Sequence, residues 1–418
     1  MRLLISLLVA LLLSPAASRV AHAQGDSLAV AGDDSSELQV FLLTMGPGEA
    51  IWEKFGHNAL WIRDPRTGTD VAYNWGVFDF AASDFLPRFL RGDMLYWMEA
   101  YPAGPMVEHY VASNRSVWVQ ELDLTPAQER ELLDFVRWNA REENRFYRYD
   151  YFLDNCSTRV RDALDGVLGG AIRATTDTVA TGTSYRWHTR RLSQEQLPLY
   201  VGMDLVLGQP GDAPISAWEE SFLPMRLREH LRMVRVRGPD GAERPLVRAE
   251  RQLFQATRDA EPAAPRDLRI PFLLLGVAVG VAVAGLAAAS ARRAGAGAGF
   301  VVTGIVWSIV AGLAGTIMVL TWTSTSHVFM YRNENLLQLS PLSLALVPLL
   351  PALRRGGRRA MLAARVAVLV AGVALLGFAL QALPGLDQVN GEIIALVLPI
   401  HLGIAWGSWR LARARARA

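Results

Sequence analysis

The residue in this chain best suited to covalent chemistry is Cys156, its only cysteine. It stands in the run Tyr149-Asp150-Tyr151-Phe152-Leu153-Asp154-Asn155-Cys156-Ser157-Thr158-Arg159. There an aromatic stretch that reads as extended gives way to an amphipathic helix with Val160, Ala163, Leu164 and Val167 on one face. A helix N-terminus points backbone N–H groups and the positive end of a dipole at such a thiol, which lowers its pKa and favours the thiolate. The competing role for a cysteine is that of a small buried hydrophobe. A thiolate nucleophile also needs a base within hydrogen-bond reach. Of His57, His109, His188 and His230, His57 is the one that follows a glycine at a turn-to-strand junction, a setting that presents a ring into a cleft. A third polar group would orient the imidazole. Asn74 and Asp79, beyond the next strand, are the candidates, Asn58 is a weaker one, and spacing does not choose among them.

Compartment sharpens the reading of Cys156. Residues 1–23 carry a basic start at Arg2, an apolar core from Leu3 to Leu13 and the small-residue end Ala21-His22-Ala23, the pattern of a secretory signal peptide. An exported chain is free to form disulfides, yet one cysteine cannot form one internally. A lone thiol in an oxidising compartment is a liability unless it is buried or put to use. The formal net charge is +2 with no basic stripe, so nucleic acid is not an expected partner. No glycine-rich phosphate loop and no His-Glu-x-x-His motif occurs, so neither a cofactor nor a metal is expected.

The elements that must position these residues fall into two regions. Residues 24–265 read as one exported domain. Strands are expected at 38–44, 59–62, 71–75 and 116–122, the middle two forming a hairpin after His57 that ends at Gly76. A helical turn is expected at 51–55, and residues 78–90 and 105–112 read as helical or irregular. Thr125-Pro126 opens a helix to Asn139, with threonine as N-cap and proline at the first position. The helix at Cys156 should end at Gly169-Gly170. Residues 171–183 look loop-like, and 186–199, 216–222 and 225–232 carry weaker helical patterns. Pro239-Asp240-Gly241 is an expected turn, and 259–265 a linker.

Residues 266–418 hold five apolar segments near 270–290, 300–322, 336–353, 361–381 and 393–408, each close to the roughly 20 residues that span a bilayer. Arginines cluster at 292–293, at 354–359 and after 408, whereas the opposite loops carry only Arg332. That distribution places the exported domain outside and the C-terminus in the cytoplasm. The loop 323–335 crowds His327, Arg332, Asn333 and Asn335 at the membrane surface. It is either a plain polar connection or a head-group or substrate site facing the exported domain.

These residues resemble a known family. Phe55-Gly56-His57-Asn58-Ala59 and the run from Tyr149 to Arg159 are similar to the periplasmic domain of the Lnb-type lipoprotein N-acyltransferases. So are Ser184-Tyr185-Arg186, the stretch Gly202-Met203-Asp204-Leu205-Val206-Leu207-Gly208, Asp212, Phe222-Leu223-Pro224, and His327 with Asn333-Glu334-Asn335-Leu336-Leu337. The resemblance implies an α+β papain-like exported domain, similar to permuted NlpC/P60 and lecithin-retinol acyltransferase-like folds, in which histidine precedes cysteine. An all-α transmembrane domain of about five helices would follow. It implies Cys156 as nucleophile and His57 as base, with Tyr149, Asp150, Asn155 and Arg159 shaping the site and His327 and Asn335 at matching loop positions.

The activity it implies moves an acyl chain from a phospholipid, through a Cys156 thioester, to the N-terminal amine of a diacylated lipoprotein at the bacterial inner membrane. A cell-wall peptidase with the same dyad is the first rival, although several spans are more than it needs. A non-enzymatic membrane-anchored binding module with Cys156 merely packed is the second.

Overall fold

Val40, Leu42, Leu60 and Ile62 alternate with Phe41, Leu43, Ala59 and Trp61 along neighbouring strands, so a sheet built from them must be covered on both faces. In the computed structural model, which describes residues 38–238 and 241–417, that sheet has seven antiparallel strands in the order β11-β5-β1-β2-β3-β4-β6. The expected signal peptide (1–23) and the turn residues Pro239 and Asp240 lie outside the described residues. Its centre is β1 (Gln39–Met45), β2 (His57–Asp64) and β3 (Thr69–Val77), flanked by β4 (Leu95–Pro102), β5 (Val117–Leu122) and β6 (Phe146–Arg148).

Between them lie α1 (Phe85–Arg91) and α2 (Ala103–Ala112), then α3 (Pro126–Asn139) and α4 (Cys156–Val167). Ala103, Met106 and Val107 of α2 cover one face of the sheet. Leu132 and Val136 of α3 and Val160 and Leu164 of α4 cover the other. Thr125 starts α3 as expected: its backbone N–H donates to Gln128 Oε1 at 2.9 Å, and its hydroxyl accepts from the Gln128 N–H at 3.4 Å.

One expectation for this domain changes, and two strands are added to it. Residues 171–183 are not a loop: they form α5 (Ala171–Thr176), entered through Gly170 at φ +86°, and strand β7 (Ala180–Ser184). β4 and β11 (Val247–Phe254) are strands that the sequence reading did not anticipate. Half of the positions in each are exposed and nearly all the rest only partly buried, so neither carries the clean apolar alternation of a half-buried strand. The chain then continues through α6 (Tyr185–Ser193), α7 (Leu197–Val206), β8 (Pro214–Ser216), α8 (Ala217–Glu220), α9 (Pro224–Leu231), and the hairpin of β9 (Arg235–Arg237) and β10 (Glu243–Pro245).

Among the described residues, five segments are long and apolar enough to cross a membrane. α10 (Arg269–Ala289), α11 (Ala294–Ser324), α14 (Arg358–Leu380) and α15 (Gly391–Arg417) are continuous helices. The third segment, Asn335–Arg354, is broken into short pieces including α12 (Asn335–Gln338) and α13 (Leu346–Leu349). Pro341, Pro348 and Pro351 remove backbone donors there and prevent a continuous helix. Gly280 of α10 and Gly403 of α15 sit against each other's helix backbones, where a Cβ would collide. Small residues of this kind let membrane helices approach closely.

The exported domain is fastened to the bundle by polar contacts. Asn333 Nδ2 donates to the Leu205 and Val206 carbonyls at 2.8 and 3.1 Å, and Asn335 Nδ2 to the Leu205 carbonyl at 3.1 Å. Tyr200 donates to Glu392 at 2.6 Å, and the Gly208 N–H to the Phe329 carbonyl at 2.7 Å. Arg186, 1% exposed, ties α6 to Asp204 and Asp212 at 2.9 and 2.7 Å and to the Leu207 and Gly208 carbonyls, so its buried charge is paired and every edge of the guanidinium is used.

Candidate active site

α4 begins at Cys156 because Asn155 caps it. Asn155 Oδ1 accepts from the N–H groups of Ser157 (2.8 Å) and Thr158 (3.0 Å), and its Nδ2 donates to the Tyr151 and Phe222 carbonyls, both at 3.0 Å. Asp150 accepts from the Phe152 and Leu153 N–H groups at 2.9 Å. The chain from 150 to 154 is therefore a tight turn and not the extended run expected. Asn155 and Asp150 build the loop that carries the nucleophile, with their side-chain groups committed to backbone partners.

The helix start is pinned to the strand that carries His57. The Ser157 hydroxyl lies 2.9 Å from Asn58 Oδ1 and 2.7 Å from the Ser221 carbonyl oxygen. Asn58 in turn donates to the Leu43 carbonyl at 3.1 Å and to Thr44 Oγ1 at 2.9 Å. Asn58 is thus a buried bracket and not the group that orients the imidazole. On the neighbouring strand, Ala59 pairs with Asn74; the same register continued places His57 opposite Gly76. Gly76, at φ +94°, lies beside the nucleophile, since a Cβ there would be in ordinary contact with the Cys156 Cβ at 3.5 Å. Thiol and imidazole therefore belong to the same corner of the sheet.

Asn74 is the residue that holds the ring. His57 Nε2 lies 3.1 Å from Asn74 Oδ1, and Asn74 Nδ2 donates to the Ala72 carbonyl at 3.0 Å. With the amide nitrogen engaged there, the amide presents oxygen to the ring, so Nε2 carries the hydrogen and Nδ1 keeps the lone pair. Asp79 is exposed and accepts from the Ala81 N–H at 2.8 Å, closing a turn instead. Tyr110 of α2 stacks against His57 at 6.1 Å. Arg115 lies over the Tyr110 ring at 4.7 Å and donates to the Gly46 carbonyl at 2.9 Å. His188 and His230 both contact Glu220, each at 2.8 Å.

The electrostatics differ from the sequence expectation. Burial pushes the Cys156 thiol up, and the N–H groups of Asn58 and Ser157 and the charge of Arg115 only partly oppose it. Burial also brings His57 down to about 4, against the Asn74 hydrogen bond and with help from Arg115. Nucleophile and base are both neutral at pH 7, so the helix N-terminus does not by itself yield a resting thiolate.

The remaining candidates separate into two groups. Tyr149 stacks on Tyr96 at 4.1 Å, and its phenol is pushed well up by burial and by the neighbouring Cys156. Arg159 pairs with Asp154 and covers the Tyr147 ring at 4.2 Å; with Trp75 and Leu153 it lines a cleft of about 500 Å³. The loop residues are elsewhere. His327 Nε2 faces the Phe89 carbonyl at 2.7 Å and its ring stacks on Tyr151 at 6.0 Å. Asn335 is bound to α7, and Arg332 is exposed at φ +51°. These three join the two regions of the chain. Tyr110, Arg115 and Tyr147 surround the nucleophile without any motif that singles them out in the sequence.

Residues 30–194 match the Lnb N-terminal periplasmic domain, and residues 269–406 match the Lnb transmembrane domain. No curated protein and no solved structure matches the chain. An α+β domain carrying a cysteine-histidine corner, docked on five membrane-crossing segments and matched in both regions, makes this chain a member of the Lnb family, a membrane-associated lipoprotein-processing protein with a periplasmic domain.

Proposed function

We propose that the protein is a cysteine-dependent acyltransferase that moves an acyl chain from a phospholipid to the N-terminal amine of a diacylated lipoprotein. The observation that carries this reading is the Asn74-oriented His57 on β2 at the same sheet corner as Cys156, in a domain seated on a membrane bundle. In the first step His57 Nδ1 takes the thiol proton while sulfur attacks the ester carbonyl carbon. The S–C bond forms, the ester C–O bond breaks, and the leaving alkoxide takes the proton from His57. Backbone N–H groups of Asn58 and Cys156, which face the sulfur, supply donors for the oxyanion. In the second step the lipoprotein amine attacks the thioester, the N–C bond forms, the C–S bond breaks, and the amine proton returns to sulfur through His57.

In this reading residues 1–23 are removed, 24–265 act in the periplasm, and 266–418 hold both lipidic substrates by their tails with the C-terminus in the cytoplasm. No cofactor takes part. Cells carrying only Cys156→Ala should make lipoproteins without the N-acyl group, read by mass spectrometry of their N-terminal peptides. The native protein mixed with phospholipid should gain one hydroxylamine-sensitive acyl mass on Cys156. Normal N-acylation in the variant cells would overturn the proposal.

A further inference from the structure

Three apolar side chains of α1 are largely open to the surroundings. Leu86, Phe89 and Leu90, with Phe80 ahead of the helix and Trp52 in contact with Phe80 at 5.0 Å, are each between 45% and 60% exposed. No residue of α1 is buried. A contiguous apolar patch of this kind marks a surface that meets something apolar.

The position of the patch identifies what it meets. The Arg91 carbonyl accepts from the Ser326 N–H at 2.8 Å, and the Phe89 carbonyl faces His327. Gly92, at φ +72°, lies so close that a Cβ would come within 2.9 Å of the His327 nitrogen. These contacts hold the end of α1 just beyond Ser324, where the membrane-crossing helix α11 stops. α1 also packs on α11, whose Leu320 and Trp322 are exposed to the surroundings of the bundle. The patch is therefore continuous with the lipid-facing surface. Exposed Trp52 and Trp322 and the cations Arg88 and Arg91 suit the head-group boundary.

From the patch a row of rings leads inward. Phe89 to Phe85 is 6.4 Å, Phe85 to Phe78 is 6.0 Å, Phe78 to Tyr96 is 4.9 Å and Tyr96 to Tyr149 is 4.1 Å. Tyr149 neighbours the nucleophile. We propose that residues 78–95 are a membrane-dipping anchor that places its apolar side chains among the acyl chains of the outer leaflet of a phospholipid bilayer, and that the ring row is the path of an acyl ester to Cys156. The path rests on the acyltransferase reading above; the anchor does not.

The test uses full-length protein with Cys156→Ser, so that one introduced cysteine carries an environment-sensitive NBD label. Leu86→Cys is compared with Arg66→Cys, at the hairpin tip of β2 and β3 opposite the His57 end, in phospholipid nanodiscs containing doxyl-labelled lipid. The label at 86 should be quenched by doxyl lipid and protected from iodide, and the label at 66 should show the reverse. Equal iodide access at both positions overturns the anchor, as does quenching at 86 that requires an added lipopeptide. For the path, Phe78→Asp should slow acylation of Cys156 from bilayer phospholipid about tenfold and change its alkylation by iodoacetamide less than about twofold. Equal loss in both overturns the path. Quenching at 86, together with no acyl mass on Cys156 in protein that keeps this cysteine, sinks the acyltransferase reading alone.

Discussion

A neutral thiol beside a neutral imidazole sets how the rate must depend on pH. In the acyltransferase proposed above, the proton leaves Cys156 as the S–C bond forms, so acylation would follow the fraction of neutral His57. The rate, read as the burst of released lysolipid, should rise through a pKa of about 4 and level off above about pH 5. A limb at the ordinary histidine value of 6.5 would contradict this. Arg115 holds His57 down, because a nearby cation disfavours a second one. Arg115→Met should therefore move the limb to higher pH, and an unmoved limb would remove Arg115 from the account. The same sign governs stability. The unfolded chain protonates His57 first, so this contribution is fully present above pH 6.5 and is lost as pH falls toward about 4. At this scale Cys156 and His57 were legible because their marks are local: a capping residue before one and a glycine before the other. Asn74 could not be separated from Asp79 without strand register. The sign of the thiol shift was misread because a dipole is a local feature and burial is a tertiary one.

Among the elements, the start of α4 has the most depending on it. Asn155→Ala removes two cap bonds and leaves the carbonyls of Tyr151 and Phe222 without their donor. A cost of about 2 kcal/mol is expected, read as a lower Tm of the detergent-solubilised protein. Asn155→Asp keeps the cap acceptors and should recover part of that loss. If both variants melt like the native protein, the cap is not what sets the helix start. Helix α3 and the hairpin of β2 and β3 were readable, since Thr125-Pro126 and a turn between apolar runs are local signals. β4 and β11 were not. Half of their positions are exposed, Arg248 and Arg251 of β11 among them, and that exposure is set only once the sheet is assembled. α5 was hidden in a stretch of threonine and alanine too short to show a period.

For the whole molecule, the seam between exported domain and bundle is the feature that local reading undervalued. The five spans were legible from apolar length, although the third is broken by its prolines. Several residues marked by family resemblance have structural roles here: Asn333, Asn335 and Asp212 make contacts across this seam, and Arg186 and Asp204 brace its exported side. Their motifs look catalytic from sequence because a strongly constrained polar residue gives no hint of which partner constrains it. Gly208 lies where any side chain would run into the Tyr331 carbonyl oxygen. Gly208→Val should loosen the seam by about 1.4 kcal/mol, a tenfold rise in opening, read as about tenfold faster proteolysis in the 259–265 linker. Unchanged proteolysis would show that the seam does not depend on that approach.

Fastened in this way by His327 on one side and by Asn333, Asn335 and Glu392 on the other, the domain that carries the sulfur is held in one place against the membrane-crossing helices. In the acyltransferase proposed above, a tethered amine would then be sorted by the length of its leash: one a short reach from its own lipid would arrive level with the thiol, and one farther along its chain would drift past. The seam acts as a depth gauge, and lengthening the spacer between lipid and amine should end modification without altering a single contact at the reacting atoms.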